Sequence, residues 1–128
     1  MMSQEQNDLI TRTGPKDPAG KLMRMYWQPA ALADELQEPR PVKPVKLLGE
    51  NLVLFRDEQG RYGLIDRHCA HRGADLAFGR LENGGLRCAF HGWLFDATGQ
   101  CLETPAEPKD SQLCQGIKQR AYPVVEKS

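Results

Sequence analysis

Two short Cys/His pairs constrain this chain more than any other feature of its sequence. Cys69 and His71 are separated by one residue, Cys88 and His91 by two, and sixteen residues lie between the pairs. A glycine follows each pair closely, which lets the backbone approach a bulky ligand. Each pair offers one thiolate and one imidazole. The spacing therefore predicts two loops that bind one metal centre from two sides.

The order of the ligands bears on which metal they bind. A single zinc ion could take two cysteines and two histidines in a tetrahedron, but zinc fingers present two cysteines first and then two histidines. Here the order alternates between Cys and His. Alternation is typical of a binuclear 2Fe–2S centre in which both cysteines bind one iron and both histidines bind the other. We favour the iron–sulfur centre, with structural zinc as the alternative.

The pattern around these pairs predicts short antiparallel strands. A chain of 128 residues is the size of one domain, and Asn83-Gly84-Gly85 is a strong hairpin signal. The sequence predicts an all-β fold, with the two Cys/His loops on neighbouring hairpins. The predicted strands are Val42–Leu48, Leu52–Arg56, Tyr62–Asp66, Leu86–Cys88, Trp93–Asp96, Gln100–Glu103 and Ile117–Val125.

The N-terminal part has a different character. We expect residues 1–26 to form an arm, loose at its start and helical from about Lys21 to Trp27, where Pro29 ends the helix. The strand-rich domain would then occupy residues 27–128. Tyr26 and Trp27 are expected to anchor the arm to that domain.

Composition narrows the partners and the compartment. Lys plus Arg and Asp plus Glu balance at 17 each, which gives no reason to expect nucleic acid or an acidic membrane as a partner. The chain shows neither a secretory signal nor an apolar run long enough to cross a bilayer, so we expect a cytoplasmic protein. Four cysteines in that compartment favour metal binding or thiols over disulfides. Cys101 is predicted to be a buried thiol, and Cys114 an incidental thiol in a polar loop.

The two loops resemble the cluster-binding boxes of a known family. The segments CAHRGA (69–74) and CAFHGWLFDATGQC (88–101) are similar to those of Rieske non-haem iron ring-hydroxylating oxygenases. The upstream stretch LMRMYWQPAALADEL (22–36) resembles the large (alpha) subunit of the phthalate dioxygenase-like group. The boxes depart from the family pattern at Ala70, where Pro is common, and at Ala89-Phe90, where Pro-Tyr is common.

This resemblance implies a function and its site residues. It implies a Rieske 2Fe–2S cluster on Cys69, His71, Cys88 and His91, in a cluster-binding subdomain of a Rieske domain. The cluster would pass single electrons from a reductase or ferredoxin to the mononuclear iron of an aromatic-ring-hydroxylating or demethylating oxygenase, a trimer in this family. Respiratory Rieske proteins join their boxes by a disulfide, whereas the corresponding positions here are Ala74 and Phe90.

The chain has too few histidines for the second iron. A mononuclear iron site takes two histidines and a carboxylate, and the cluster would use two of the three histidines, leaving His68. We therefore assign no catalytic residue and expect the N-terminal part of a longer oxygenase, with the catalytic domain absent. The alternative is a free-standing Rieske ferredoxin, an electron carrier of similar length.

Overall fold

The computed structural model describes residues 1–37, 39–70, 73–108 and 110–127. Two short helices come first, and the strands that follow form two antiparallel sheets. Single 3-10 turns interrupt the connections at Ala33–Leu36, Leu76–Phe78 and Cys114–Gly116. The elements are α1 (Gln4–Thr11), α2 (Pro18–Met23), β1 (Val42–Leu47), β2 (Glu50–Arg56), β3 (Tyr62–Asp66), β4 (Arg80–Glu82), β5 (Gly85–Arg87), β6 (Leu94–Phe95), β7 (Cys101–Glu103) and β8 (Ala121–Tyr122).

The middle strands of the sequence form one sheet, and the first three strands and the last form the other. The first sheet has the order β1-β2-β3-β8, and the second, which is smaller, has the order β4-β5-β6-β7. One buried cluster joins the two sheets, because Phe55 and Ile65 of the first pack with Leu86 and Phe95 of the second. The expectation of an all-β domain of short antiparallel strands after a helical arm is confirmed.

The middle of strand β2, residues 52–55, is apolar because both of its faces are covered. Side chains alternate across a strand, so Val53 and Phe55 enter the cluster between the sheets. Leu52 and Leu54 point the other way and pack with Leu36 of the N-terminal part. The strand therefore connects the arm side of the molecule to the core that carries the Cys/His loops.

Two hairpin turns follow local backbone preferences. Asn83 and Gly84 both have positive φ, as a tight hairpin with an Asn-Gly pair requires, so the hairpin predicted there is confirmed. Leu48 and Gly49 make the equivalent turn between β1 and β2. Pro44 is tolerated within β1 because that strand lies at the edge of its sheet.

Three expectations about local structure were wrong. The loose start of the arm contains helix α1, whose first turn is closed by a capping box between Ser3 and Gln6. The second helix lies earlier than predicted, at Pro18–Met23. The final strand is shorter than predicted, because only Ala121 and Tyr122 pair with β3 before Pro123 ends the ladder.

Tyr26 and Trp27 do not anchor the arm as expected. Their exposed fractions are 66% and 68%. The arm is held instead by Arg24, whose guanidinium contacts the buried carboxylate of Glu50 at 2.6 Å and the carbonyl of Leu48 at 3.2 Å. An ion pair thus performs the role that the sequence suggested for aromatic packing.

Gly99 and Gly49 offer a matched test of backbone conformation. Both have positive φ, but a Cβ at Gly99 would lie 2.3 Å from the carbonyl oxygen of Gln119, whereas Gly49 faces open space. We expect Gly49→Ala to cost about 1–2 kcal/mol of unfolding free energy from the left-handed backbone alone. Gly99→Ala should add about 1–3 kcal/mol of steric cost. Chemical denaturation measures both, and equal losses would contradict the close contact at Gly99.

In the part of the chain that the structure describes, no helix has the length and apolar character needed to cross a membrane.

Candidate metal centre

The first Cys/His loop runs between the two sheets. It begins after β3 and is closed at its base by an antiparallel bridge between His68 and Asp75. The amide of Cys69 donates to the carbonyl of Ala74 at 2.8 Å, and the amide of Gly73 donates back to the carbonyl of Cys69 at 2.8 Å. The expectation that both loops sit on neighbouring hairpins is therefore wrong for this loop, which connects one sheet to the other.

The second loop connects β5 to β6 and is closed in the same way. The amide of Cys88 donates to the carbonyl of Trp93 at 2.7 Å, and the amide of Gly92 donates to the carbonyl of Cys88 at 3.0 Å. In each loop, the residues that form these two closing hydrogen bonds lie four and five positions after the cysteine. Gly73 and Gly92 occupy equivalent places with φ of +71° and +78°, a conformation that L side chains rarely adopt.

Both cysteines are buried in the shared core. Cys69 and Cys88 are each 3% exposed and belong to the cluster that joins the sheets. Trp93, 4% exposed, packs in the same cluster. The two loops therefore bring two thiols into one apolar environment, although they are separated by eighteen residues of sequence.

His91 lies at the more exposed end of the second loop. Its ring is half-buried, with Nε2 shielded from solvent. The neighbouring Phe90 contacts it edge-on, with ring centroids 4.1 Å apart, and is itself 62% exposed. An apolar aromatic ring thus stands beside the predicted ligand on the protein surface. His71, the fourth predicted ligand, lies outside the described residues.

Two contacts support the base of the first loop. Arg67 donates to both carboxylate oxygens of Asp75, at 2.9 and 2.7 Å, across the bridge that closes the loop. This hydrogen bonding lowers the pKa of Asp75 below its ordinary value. Gln119 is 3% exposed, and its side-chain amide donates to the carbonyls of Asp66 and His68 at 3.1 and 2.8 Å. The loop base is thereby tied to the segment before β8.

Arg87 supports the second loop through hydrogen bonds of its guanidinium. It directly precedes Cys88 and is 8% exposed. Its guanidinium donates to the carbonyl of Gly92 at 2.6 Å and forms ion pairs with Glu82 at 2.5 Å and Glu103 at 2.7 Å. Burial alone would lower the pKa of Arg87, but the two carboxylates outweigh burial and raise it. One cation therefore connects three strands and the loop.

Replacing Arg87 with methionine should loosen the second loop. The variant keeps an apolar stem but loses three hydrogen bonds, and we expect a loss of about 1–3 kcal/mol of unfolding free energy. Hydrogen exchange at residues 88–92 should rise relative to the rest of the core. Arg80→Met is the matched control, since Arg80 also pairs with Glu82 but its side chain is 71% exposed. An equal effect in both variants would contradict the supporting role of Arg87.

The donor set fits an iron–sulfur centre. Two buried cysteines and an imidazole, presented by two equivalently closed loops, supply the ligand types that such a centre needs. Within the described residues, no three His, Cys, Asp or Glu side chains form a group that could hold a metal ion. A binuclear centre with two protein ligands on each iron does not require such a group.

Comparison with known proteins assigns the family. The family model described as the Rieske 2Fe–2S domain matches residues 26–123, which is most of the chain. The chain belongs to the Rieske 2Fe–2S domain family. Membership accounts for the two similar loops, since domains of this family are named for the cluster that such loops hold.

Curated relatives of this Rieske domain are oxygenase subunits. The chain is 49% identical over 128 residues to the 5,5'-dehydrodivanillate O-demethylase oxygenase subunit of Sphingobium sp. strain SYK-6, covering 97% of this chain and 30% of that protein. It is 44% identical over 124 residues to the phthalate 4,5-dioxygenase oxygenase subunit of Pseudomonas putida, covering 95% and 28%. The resemblance to oxygenases is confirmed, and the chain spans less than a third of each of these relatives.

Solved structures agree with the fold. NdmA of Pseudomonas putida CBB5 superposes with a TM-score of 0.74 at 32% identity, covering 84% of this chain and 33% of that one. Apo dicamba monooxygenase superposes with a TM-score of 0.70 at 35% identity, covering 80% and 30%. The Rieske fold of this chain is thus supported by sequence and by structure.

Three of the four ligands predicted from the sequence lie within the described residues, but the residues that support their loops were not predicted. Cys69, Cys88 and His91 lie on the two loops, and His68, the histidine outside the predicted ligand set, is exposed. Arg87 and Gln119 were missed, because a single Arg or Gln carries no spacing signal and its role depends on partners from other strands. Cys101 and Cys114 are both free thiols, as predicted, but the sequence did not predict that their sulfurs lie 2.9 Å apart.

Proposed function

We propose that this chain binds a Rieske 2Fe–2S cluster through Cys69, His71, Cys88 and His91 and passes single electrons to an oxygenase. The electrons would come from a reductase or ferredoxin. They would go to a mononuclear iron in a catalytic domain that hydroxylates or demethylates an aromatic substrate. The observation that carries the proposal is the pair of equivalently closed loops, which places Cys69 and Cys88 in one buried cluster.

The ligand types suit a one-electron carrier. When bound, a cluster with two thiolate and two imidazole ligands accepts one electron at a higher potential than an all-cysteine cluster, within about −150 to +300 mV. The chain's own residues exclude water from the thiolate side, because Cys69, Cys88 and Trp93 are almost completely buried. They leave the histidine side nearer the surface, since His91 is half-buried.

That asymmetry supports electron transfer through the histidine side. Phe90 is largely exposed and contacts the His91 ring. An exposed aromatic beside the ligand offers apolar area to a docking partner without adding charge. We propose that the catalytic domain that receives the electron contacts the chain at Phe90. His91 would then be the ligand nearest to the electron acceptor.

A second exposed apolar area supports a further contact with the rest of the oxygenase. Met25, Tyr26, Trp27 and Leu32 are all more than 60% exposed and line an open groove of about 840 Å³ with Val125. Apolar side chains grouped in this way commonly mark an interface. We propose that this groove packs against the catalytic domain of the same oxygenase, which is trimeric by resemblance.

Iron and acid-labile sulfide analysis of the purified chain tests the cluster. We expect about two irons and two sulfides per chain and reduction by about one electron in a dithionite titration. Zinc without sulfide would contradict the proposal. Ferricytochrome c serves as a generic acceptor to show that the reduced chain passes its electron on.

A separate observation distinguishes the oxygenase from a free-standing ferredoxin. The reading frame beyond Ser128 should encode a segment with two histidines and a carboxylate for the mononuclear iron. A stop codon directly after Ser128 in the natural gene would favour the carrier. The cluster analysis would stand in either case, so the two parts of the proposal fail independently.

A further inference from the structure

The two cysteines outside the cluster loops lie against each other. The sulfur of Cys114 is 2.9 Å from the sulfur of Cys101. Cys101 lies in β7 and is 4% exposed, whereas Cys114 begins the 3-10 turn Cys114–Gly116 and is half-buried. One thiol is thus enclosed in the core and its partner is reachable from solvent.

Hydrogen bonds from one backbone amide and one side chain hold the two cysteine-bearing segments together. The amide of Cys101 donates to the carbonyl of Ile117 at 3.1 Å. The side-chain amide of Gln100 donates to the same carbonyl at 3.2 Å and reaches that of Cys114 at 3.5 Å. These hydrogen bonds join the segment that carries Cys101 to the segment that carries Cys114. The fold therefore keeps the two sulfurs close together.

We propose that Cys101 and Cys114 form a redox-active dithiol that a hydroperoxide oxidises to a disulfide. The Cys114 thiolate attacks the peroxide O–O bond and becomes a sulfenic acid, while one oxygen leaves as hydroxide and takes a proton to form water. The Cys101 sulfur then attacks the Cys114 sulfur and loses its proton, and the sulfenic oxygen leaves as a second water. Two thiols and one hydrogen peroxide yield one disulfide and two waters.

The order of the two steps follows from burial. Burial, together with the hydrogen bond from Cys114, raises the pKa of Cys101 to about 12, so Cys101 remains a thiol near neutral pH. The half-buried Cys114 is the more accessible of the two and meets the oxidant first. Cys101 then acts as the resolving thiol at contact distance.

The bridge would close a strap of chain between Cys101 and Cys114, of which the structure describes residues 102–108 and 110–113. Pro105 of the strap lies against Gly92, so that a Cβ at Gly92 would be 3.5 Å from its ring. Glu103 pairs with Arg87, which donates to the carbonyl of Gly92. Oxidation would therefore fasten the strap next to the loop that carries Cys88 and His91.

Peptide mapping tests the proposal on the cluster-loaded chain. Treatment with hydrogen peroxide, followed by alkylation under denaturing conditions and tryptic digestion, should give a linked pair of peptides that dithiothreitol separates. Cys88 and Cys101 share one tryptic peptide, because no Lys or Arg lies between them. Tandem mass spectrometry must therefore place the bridge at Cys101.

Cys114→Ser is the control, because it removes the accessible thiol and leaves the buried one. It should retain the cluster absorption and form no linked peptide. In the wild type, hydrogen exchange across residues 102–113 should fall on oxidation and recover on reduction, and in Cys114→Ser it should not respond. Oxidation of Cys114 to sulfinic acid without linkage, or a bridge at Cys88, would overturn the proposal.

Discussion

Cys88→Ser should abolish cluster binding, whereas Cys114→Ser should leave it intact. Cys88 is buried in the core beside Cys69, and its loop supplies one thiolate and one imidazole to the proposed centre. Loss of a ligand should reduce iron retention by more than the roughly 10- to 100-fold typical of outer-shell substitutions. Iron and sulfide analysis after purification measures the effect directly.

The comparison between cysteines makes this prediction selective. Cys69→Ser should behave like Cys88→Ser, because the two residues occupy equivalent places in the two loops. Circular dichroism of each variant shows whether the strands still form when the cluster is lost. If Cys114→Ser lost iron as fully as Cys88→Ser, or if Cys88→Ser retained it, the assignment of the thiolate ligands would be wrong.

Glu50→Ala should destabilise the fold strongly. The carboxylate, 5% exposed, contacts Arg24 at 2.6 Å, Arg120 at 2.7 Å and the hydroxyl of Tyr122 at 2.7 Å. Removing the Glu50 carboxylate leaves Arg24, Arg120 and Tyr122 without the anion that they share. Breaking a buried ion pair by removing one partner typically costs about 3–5 kcal/mol of unfolding free energy. Urea denaturation monitored by circular dichroism measures this loss.

Glu35→Ala is the matched control for that experiment. Glu35 also forms a 2.5 Å ion pair, with Lys43, but both side chains are more than a third exposed. Exposed pairs are worth about 0–1 kcal/mol, so we expect a small change. Similar losses in the two variants would show that the Glu50 network contributes no more than a surface pair.

Acid should remove part of the stabilisation that Glu50 provides. Burial by itself would raise the pKa of Glu50, but hydrogen bonds from Tyr122 and Arg24 and the charge of Arg120 hold it below the ordinary 4.5. A carboxyl with a lowered folded pKa stabilises the fold above the unfolded value and loses that contribution as pH falls through the folded value. The stability difference between wild type and Glu50→Gln should therefore shrink as pH falls below 4.5. A difference that stays constant would contradict the lowered pKa.

The sequence by itself determined the local features of the chain. Asn83-Gly84 specified a hairpin because few other pairs tolerate positive φ at both positions. The apolar segments Leu52–Arg56 and Tyr62–Asp66 lie within observed strands, because their residue types favour a sheet covered on both faces. The spacing of Cys69, Cys88 and His91 predicted two short loops with Cys and His side chains, and the structure closes both loops with the same pattern of hydrogen bonds.

Only the tertiary structure decided which side chains from distant parts of the sequence contact one another. Glu50 joins the arm to β8 because Arg24, Arg120 and Tyr122 converge on it from distant parts of the chain. Arg87 holds the second loop through carboxylates on two other strands. The same applies to Cys101 and Cys114, whose contact depends on the return of the chain after a long strap. Such relations combine residues without a fixed sequence separation, and therefore no local pattern predicts them.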